Sequence, residues 1–190
     1  MSRLALSLLG PFQATLDGRP VTEFESAKVR ALLAFLATEA DRAHPREAVA
    51  ELLWPERPPG AALADLRHAL ASLRKTIGDG SAQPPFLLVT HATLQFNLAS
   101  AAVVDLVDFI ALMNKHHTLT PAACQAALAL RRGPFLDGFG KIASPQFEEW
   151  IVVMAEQVDH LTGEVVSVLI GVNGNGRELL MANCQWLMVN

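Results

Sequence analysis

The residues in this sequence that could do chemistry are cations on a helix predicted over residues 61–77. Apolar residues spaced by three and four form one stripe that must face a core: Leu63, Leu66, Leu70, Leu73 and Ile77. At about 100° per residue, another side of the helix gathers a set that we call the basic arc: Arg67, His68, Ala71, Arg74 and Lys75. Arginine can bind guanine O6 and N7 with two hydrogen bonds, and lysine neutralises phosphate. The spacing predicts a helix for the major groove of duplex DNA, although an ordinary solvated helix face could have the same composition.

Other groups that could support catalysis lack a matching spacing. His116-His117 and Glu148-Glu149 stand outside any HExxH pattern, and the chain has neither a glycine-rich phosphate loop nor a GxSxG turn. We expect the histidines at a helix end and the glutamates early in another helix, where the helix dipole favours each charge. The sequence therefore predicts no enzyme, no cofactor and no metal site.

Composition indicates a soluble chain with a substantial core. The 190 residues are 51% hydrophobic and 18% charged, and no apolar run reaches the roughly 18 residues that a membrane span requires. The N-terminus lacks the apolar block and cleavage site of a signal peptide. Cys124 and Cys184 have no CxxC or Cys/His spacing and are predicted to be buried. We therefore expect a cytoplasmic protein that does not contact a membrane.

The net charge of −4 is unevenly distributed along the chain. Residues 1–100 contain ten basic and ten acidic residues, whereas residues 101–190 contain five and nine. A neutral first half can still bind phosphate if its cations gather on one face.

Before the predicted cationic helix, the pattern indicates strands and then two other helices. Residues 4–8 and 12–16 alternate apolar and polar side chains, and Asp17-Gly18 predicts a type I′ hairpin turn. A third strand is expected over residues 20–24. Ser26 is the predicted N-cap of the first helix, and Pro45 the first residue of a second helix that ends at Pro55.

After the third helix, which Gly78 is predicted to close, residues 86–90 and 94–98 read as a hairpin. A hairpin that follows three helices is typical of the wing of a winged helix. The chain beyond residue 99 is helical in pattern, over residues 104–115, 120–132, 144–171 and 177–189.

Four aromatic residues bracket a Gly/Pro-containing connection in this second half, and we expect them to pack the helices of an αα-hairpin together: Phe135, Phe139, Phe147 and Trp150. The final predicted helix has apolar residues that are expected to lack partners within the chain: Leu179, Leu180, Trp186 and Leu187. The sequence thus predicts self-association or a displaced last helix.

Several strings together resemble the Streptomyces antibiotic regulatory protein (SARP) family. They are KVRALLAFL at 28–36, LLWP at 52–55, LRHAL at 66–70 with LR at 73–74, VDLVDF at 104–109, GPFLDGF at 133–139 and FEEW at 147–150. The resemblance implies an α+β winged helix-turn-helix domain of the OmpR type over residues 1–99. It implies a partial, all-α, TPR-like bacterial transcriptional activator domain over residues 100–190.

The same resemblance implies a transcriptional activator that binds repeated promoter sites in double-stranded DNA. It also implies self-association as a homodimer and contact with RNA polymerase, and it places Arg67, Arg74 and Lys75 on the recognition helix and His91 near the wing tip. This chain has Leu63 where members often have arginine, and Asp65 where they have an amide or a small polar residue. The alternative is a protein interaction module whose winged helix no longer binds DNA.

Overall fold

The computed structural model describes residues 2–114 and 120–172, which contain two small sheets and six α-helices. The strands are β1 (Leu4–Ser7), β2 (Gln13–Leu16), β3 (Arg19–Pro20), β4 (His44–Pro45), β5 (Leu87–Val89), β6 (Thr93–Phe96) and β7 (Ala102–Val104). The helices are α1 (Ala27–Thr38), α2 (Arg46–Leu53), α3 (Pro59–Thr76), α4 (Asp105–Asn114), α5 (Pro121–Leu130) and α6 (Pro145–Val172).

The first sheet has the order β3-β2-β1-β7. Asp17 and Gly18 join β2 to β3 with φ values of 52° and 78°, which confirms the predicted turn. The third strand was predicted to reach residue 24, which is wrong, because β3 ends at Pro20. The Val21 amide still donates to the Ala14 carbonyl of β2, and the pairing with β2 ends there. Phe24 instead packs its ring edge-on against the ring of Phe12.

Strand β7 was not predicted, and it pairs in parallel with β1 through Leu6 opposite Val104. The prediction of a helix from Val104 is therefore wrong at its start, since this residue is the last of a strand and α4 begins at Asp105. A short apolar run does not distinguish a strand from the first turn of a helix. The N-terminal sheet is completed by residues beyond position 99.

The three predicted helices of the first half are present. The Ser26 hydroxyl accepts a hydrogen bond from the Val29 amide and caps α1, as predicted. Pro45 is not the first residue of α2 but its N-cap, because the backbone stays extended there and pairs with Thr93 of β6. Helix α3 begins at Pro59, two residues before its predicted start, and Gly78 follows its C-cap residue in the left-handed conformation.

The second sheet has the order β4-β6-β5 and forms the predicted wing. Leu87 pairs with Phe96 and Val89 with Leu94 in antiparallel register. Phe86, Leu94 and Phe96 are buried under the hairpin. Both strands are shorter than predicted, and Leu98 is half exposed after β6 has ended.

The helical part packs α4 on α5 and α5 on α6. Thr120 caps α5, which ends at Leu130 instead of the predicted residue 132. Ser144 precedes α6, and its hydroxyl accepts a hydrogen bond from the Phe147 amide. The winged helix is thus followed by a helical domain.

Residues 131–144 run back along the first sheet and join the two parts. The Arg132 amide donates to the Leu9 carbonyl at 2.7 Å, and the Leu136 amide donates to the Leu8 carbonyl at 2.9 Å. Gly10 lies at this crossing with a φ of 138°, and a Cβ built on it would approach the Arg132 Cβ to 2.9 Å. Only glycine fits so close a passage of two backbone segments.

The four aromatic residues of the second half form one cluster, but the prediction that they pack an αα-hairpin is wrong. The ring centres of Trp150 and of Phe35 on α1 lie 5.2 Å apart, and those of Phe139 and Phe12 lie 5.5 Å apart. They attach α6 to the winged helix, because the connection 131–144 returns to the first sheet before α6 begins.

Some sequence-based predictions lie outside the described residues. These are the helix end at His116-His117, the helix over residues 177–189 with its unpartnered apolar residues, and the burial of Cys184. Within residues 2–114 and 120–172, every helix is too short or too polar to cross a bilayer.

Candidate nucleic-acid interface

Helix α3 is held in place by its apolar side. Leu66, Leu70 and Leu73 are buried as predicted, and Ile77 continues the stripe beyond the last helical residue. Leu63 is only partly buried, because Ala62 and Ala69 turn toward the core instead. The helix therefore presents its opposite side to solvent.

All five residues of the basic arc are exposed, which their spacing predicted. Within the described part of the chain, Arg67 and Lys75 form no ion pair. Ala71 lies between the charged residues and leaves room for a close approach. Such a surface can bind a row of phosphates or the edges of bases in a groove.

Arg74 differs from its neighbours in the arc. Its Nε donates to Asp79 Oδ2 at 2.7 Å, and the side chain of Asp79 is fully buried whereas that of Arg74 is 45% exposed. This partner could not be predicted from the sequence, because a separation of five residues crosses the end of the helix and matches no helical pairing rule.

Asp65, which lowers the positive charge expected on α3, has a cationic partner. Arg57 Nε lies 2.9 Å from Asp65 Oδ2, across the turn between α2 and α3. The nearby Lys28 Nζ lies 3.2 Å from Glu56 Oε1. A backbone hydrogen bond and the Lys28 ammonium lower the pKa of the exposed Glu56 carboxyl. Both acids near the start of α3 are therefore ion-paired.

His91 lies at the wing tip, as predicted, and its side chain is exposed. Arg46, the first residue of α2, holds this tip through two hydrogen bonds. Its backbone amide donates to the Ala92 carbonyl at 2.9 Å, and its Nε donates to the Thr90 carbonyl at 3.1 Å. The position of Arg46 at a predicted helix start gave no signal of this contact.

An open cleft of about 840 Å³ lies beside the basic arc. His68, Ala71 and Lys75 line one side, while Glu23 and Glu25 line another. Phosphate near Lys75 would be repelled by these carboxylates, so DNA that binds α3 must keep its backbone away from residues 23–25.

Of the groups considered for catalysis, those within the described residues do not gather into a site, and His116-His117 lie outside those residues. Glu148 and Glu149 lie near the start of α6, as predicted, and their side chains are exposed. Cys124 is buried as predicted, and burial raises the pKa of its thiol, which lowers its reactivity. In the parts of the chain that the structure describes, three or more His, Cys, Asp or Glu side chains nowhere gather to hold a metal ion.

Comparison with known proteins gives two kinds of similarity, and no protein-family model matches the chain. Over 86 residues, 45% of its length, the chain is 38% identical to the transcriptional regulatory protein EmbR of Mycobacterium bovis and of Mycobacterium tuberculosis. That segment spans 22% of EmbR. The structure of Mycobacterium tuberculosis EmbR in complex with a low-affinity phosphopeptide superposes with a TM-score of 0.73 at 25% identity. The superposition covers 98% of this chain and 50% of the EmbR chain.

Proposed function

We propose that this chain is a DNA-binding transcription regulator that activates promoters. Its architecture is that of a SARP-like winged helix followed by a bacterial transcriptional activator domain. Double-stranded DNA is its ligand, and repeated promoter sites are its targets. It acts in the cytoplasm and catalyses no reaction; the relatives that it matches are transcriptional regulators.

The observation that carries the proposal is the shared exposure of α3 and the wing. Arg67, His68, Ala71 and Lys75 lie on one solvent-facing side of a helix whose other side is buried. A major groove about 12 Å wide admits one helix, and a hairpin tip beside it can reach the flanking backbone. In this arrangement Arg67 binds a base edge, Lys75 binds phosphate, and His91 contacts the DNA backbone from the wing.

The helical domain supplies contacts with protein. Residues 101–190 have nine acidic and five basic residues, so this part avoids DNA and leaves phosphate to the winged helix. We assign to it the homodimer contact and the contact with RNA polymerase. The domain boundary near residue 99 separates these two roles, although β7 beyond it pairs with the first sheet.

The alternative function is that of a protein interaction module with a winged helix that does not bind DNA. The observation in its favour is the position of Glu23 and Glu25 in the cleft beside Lys75, together with the zero net charge of residues 1–100. Only the DNA-binding function predicts affinity for duplex DNA that falls as salt is added, because phosphate contacts release counterions from the DNA.

The test is a titration of the full chain onto a fluorescent duplex of random sequence, followed by anisotropy. We expect binding that weakens about 10-fold or more between about 50 mM and 200 mM salt. Lys75→Ala should reduce this salt dependence, while the exposed Arg3→Ala, which removes one positive charge outside α3, should not. Absence of binding at the lower salt concentration would favour the interaction module.

A further inference from the structure

The ion pair between Arg74 and Asp79 is part of a connection between the recognition helix and the wing. Arg74 is in the last turn of α3, and Asp79 begins the short 3-10 turn Asp79–Ser81 that follows. Asp79 uses its two oxygens differently. Oδ2 accepts from Arg74 Nε at 2.7 Å, and Oδ1 accepts from the backbone amide of Leu87 at 3.0 Å. Leu87 is the first residue of β5, so one buried carboxylate joins the helix end to the first strand of the wing.

The surroundings make this connection specific. The side chain of Asp79 has no exposed surface, and a buried carboxylate is stable only with charged or hydrogen-bonding partners. Gly78 directs the chain into this position with a φ of 67°, and the Ser81 hydroxyl donates to the Gly78 carbonyl at 2.8 Å. The turn therefore fixes where the carboxylate lies, and Arg74 is the cation that neutralises it.

We propose that Arg74 is a positioning residue for DNA binding: through Asp79, it sets the position of the wing relative to the recognition helix. The inference rests on the proposed function, because it concerns how helix and wing contact one duplex together. The Nε of Arg74, which could donate to a base, already donates to Asp79. Arg67 and Lys75 have no such partner among the described residues and remain the residues that contact DNA.

The opposite end of the hairpin is held separately, by Arg46 at Thr90 and Ala92. With Arg74 removed, the wing keeps this second attachment and its buried apolar side chains. We therefore expect a change in wing position and local opening at Leu87 without loss of the fold.

The first test needs no DNA and measures hydrogen exchange at the Leu87 amide of the full chain by NMR. Arg74→Ala should accelerate exchange at this amide about 10-fold or more, because local opening becomes easier when Asp79 loses its cation. Lys75→Ala is the matched control, which removes a neighbouring cation and should leave the rate unchanged. An unchanged Leu87 rate in Arg74→Ala would overturn the proposal.

The second test separates positioning from direct contact with DNA. Asp79→Asn can still accept the Leu87 amide, but it puts an uncharged amide group opposite Arg74 and releases the arginine. If Arg74 positions the wing, Asp79→Asn and Arg74→Ala should each weaken binding to a selected duplex by at least about threefold. The double variant should then bind as tightly as the single variant with the lower affinity, because both changes break the same link.

If Asp79→Asn binds as well as the wild type, or if the two effects multiply, Arg74 contacts DNA directly and the proposal is wrong. Thermal melts of each variant identify global unfolding, and Arg74→Gln, which removes the charge but keeps a side chain that can donate a hydrogen bond, serves as the milder replacement where Arg74→Ala fails to fold. Should the wild type bind no duplex, the proposed function fails, while the exchange experiment still decides whether Arg74 holds the wing.

Discussion

The guanidinium of Arg30 on α1 lies 4.6 Å from the centre of the Phe139 ring, and its Nη2 donates to the Phe139 carbonyl at 2.5 Å. One residue of the winged helix thus holds both the backbone and the side chain of the connection that leads to α6. Trp150 Nε1 adds a 3.0 Å hydrogen bond to Glu39 at the other end of α1. The helical domain is attached to the helix that packs against α3.

Phe139→Ala should destabilise both parts of the chain together. The side chain is buried between Phe12 and Phe147, and removal of a buried phenylalanine ring costs about 3–5 kcal/mol. Chemical unfolding followed by circular dichroism should show one transition at lower denaturant. Val152→Ala, at an exposed position of α6, should change stability by less than about 0.5 kcal/mol. Two separate transitions in the wild type would contradict this account of the junction.

Gly10→Ala should destabilise the chain by roughly 1–3 kcal/mol or more, because the residue has a φ that alanine rarely adopts and its Cβ would meet Arg132. Gly163→Ala is the matched control. This glycine lies within α6 with open space around it, so alanine should stabilise the helix by up to about 1 kcal/mol. Melting temperatures of the two variants should move in opposite directions, and equal shifts would refute the close passage at Gly10.

Asp105 should make stability depend on pH. Burial raises the pKa of its carboxyl, although amide donors, including those of Leu8 and Leu9, and the Arg132 guanidinium oppose this. Between the ordinary and the raised pKa, the folded chain binds more protons than the unfolded chain. The contribution of this group to stability is therefore complete below the ordinary pKa and is lost as the pH rises through the raised pKa.

Asp105→Asn lacks this titration, so its unfolding free energy relative to the wild type should increase as the pH is raised from about 3 to about 7. Urea unfolding of both proteins across that range measures the difference. The unfolding free energy of Asp105→Asn relative to the wild type could instead stay constant or decrease as the pH rises. Either result would show that hydrogen bonding and not burial controls the pKa of this carboxyl.

Arg67→Ala and Lys75→Ala should weaken DNA binding in different ways. A base contact by Arg67 is worth roughly 1–3 kcal/mol and only on the selected sequence, whereas loss of a phosphate contact at Lys75 weakens binding to all sequences alike. Isotherms on selected and unrelated duplexes, at two salt concentrations, distinguish these cases. Wild-type affinity of both variants on the selected duplex would remove α3 from the interface.

The elements with strong local signals were predictable from the sequence. Ser26 as N-cap, the Asp17-Gly18 turn and the burial of Leu66, Leu70 and Leu73 on α3 each depend on neighbouring residues, and the structure confirms them. The exposure of the basic arc followed from the same periodicity.

The features that were missed depend on contacts distant in the chain. Strand β7 exists because Val104 reaches Leu6, and the role of Phe139 follows from the return of residues 131–144 to the first sheet. The link from Arg74 to Leu87 passes through a carboxylate whose burial no local pattern records. Sequence periodicity therefore gave the surface of the candidate interface but not the contacts that hold its parts together.

Selection of bound sequences from a pool of random duplexes with the full chain is the most direct test of the central claim, that α3 and the wing bind DNA specifically. We predict enrichment of a defined sequence, which the wild type binds about 10³-fold or more tightly than unrelated duplex at the same salt concentration. In Arg67→Ala, the preference for one base should be lost at a single base pair of the selected sequence, while the other positions keep theirs. Recovery of a pool that remains random, with equal affinity for all duplexes, would contradict the account.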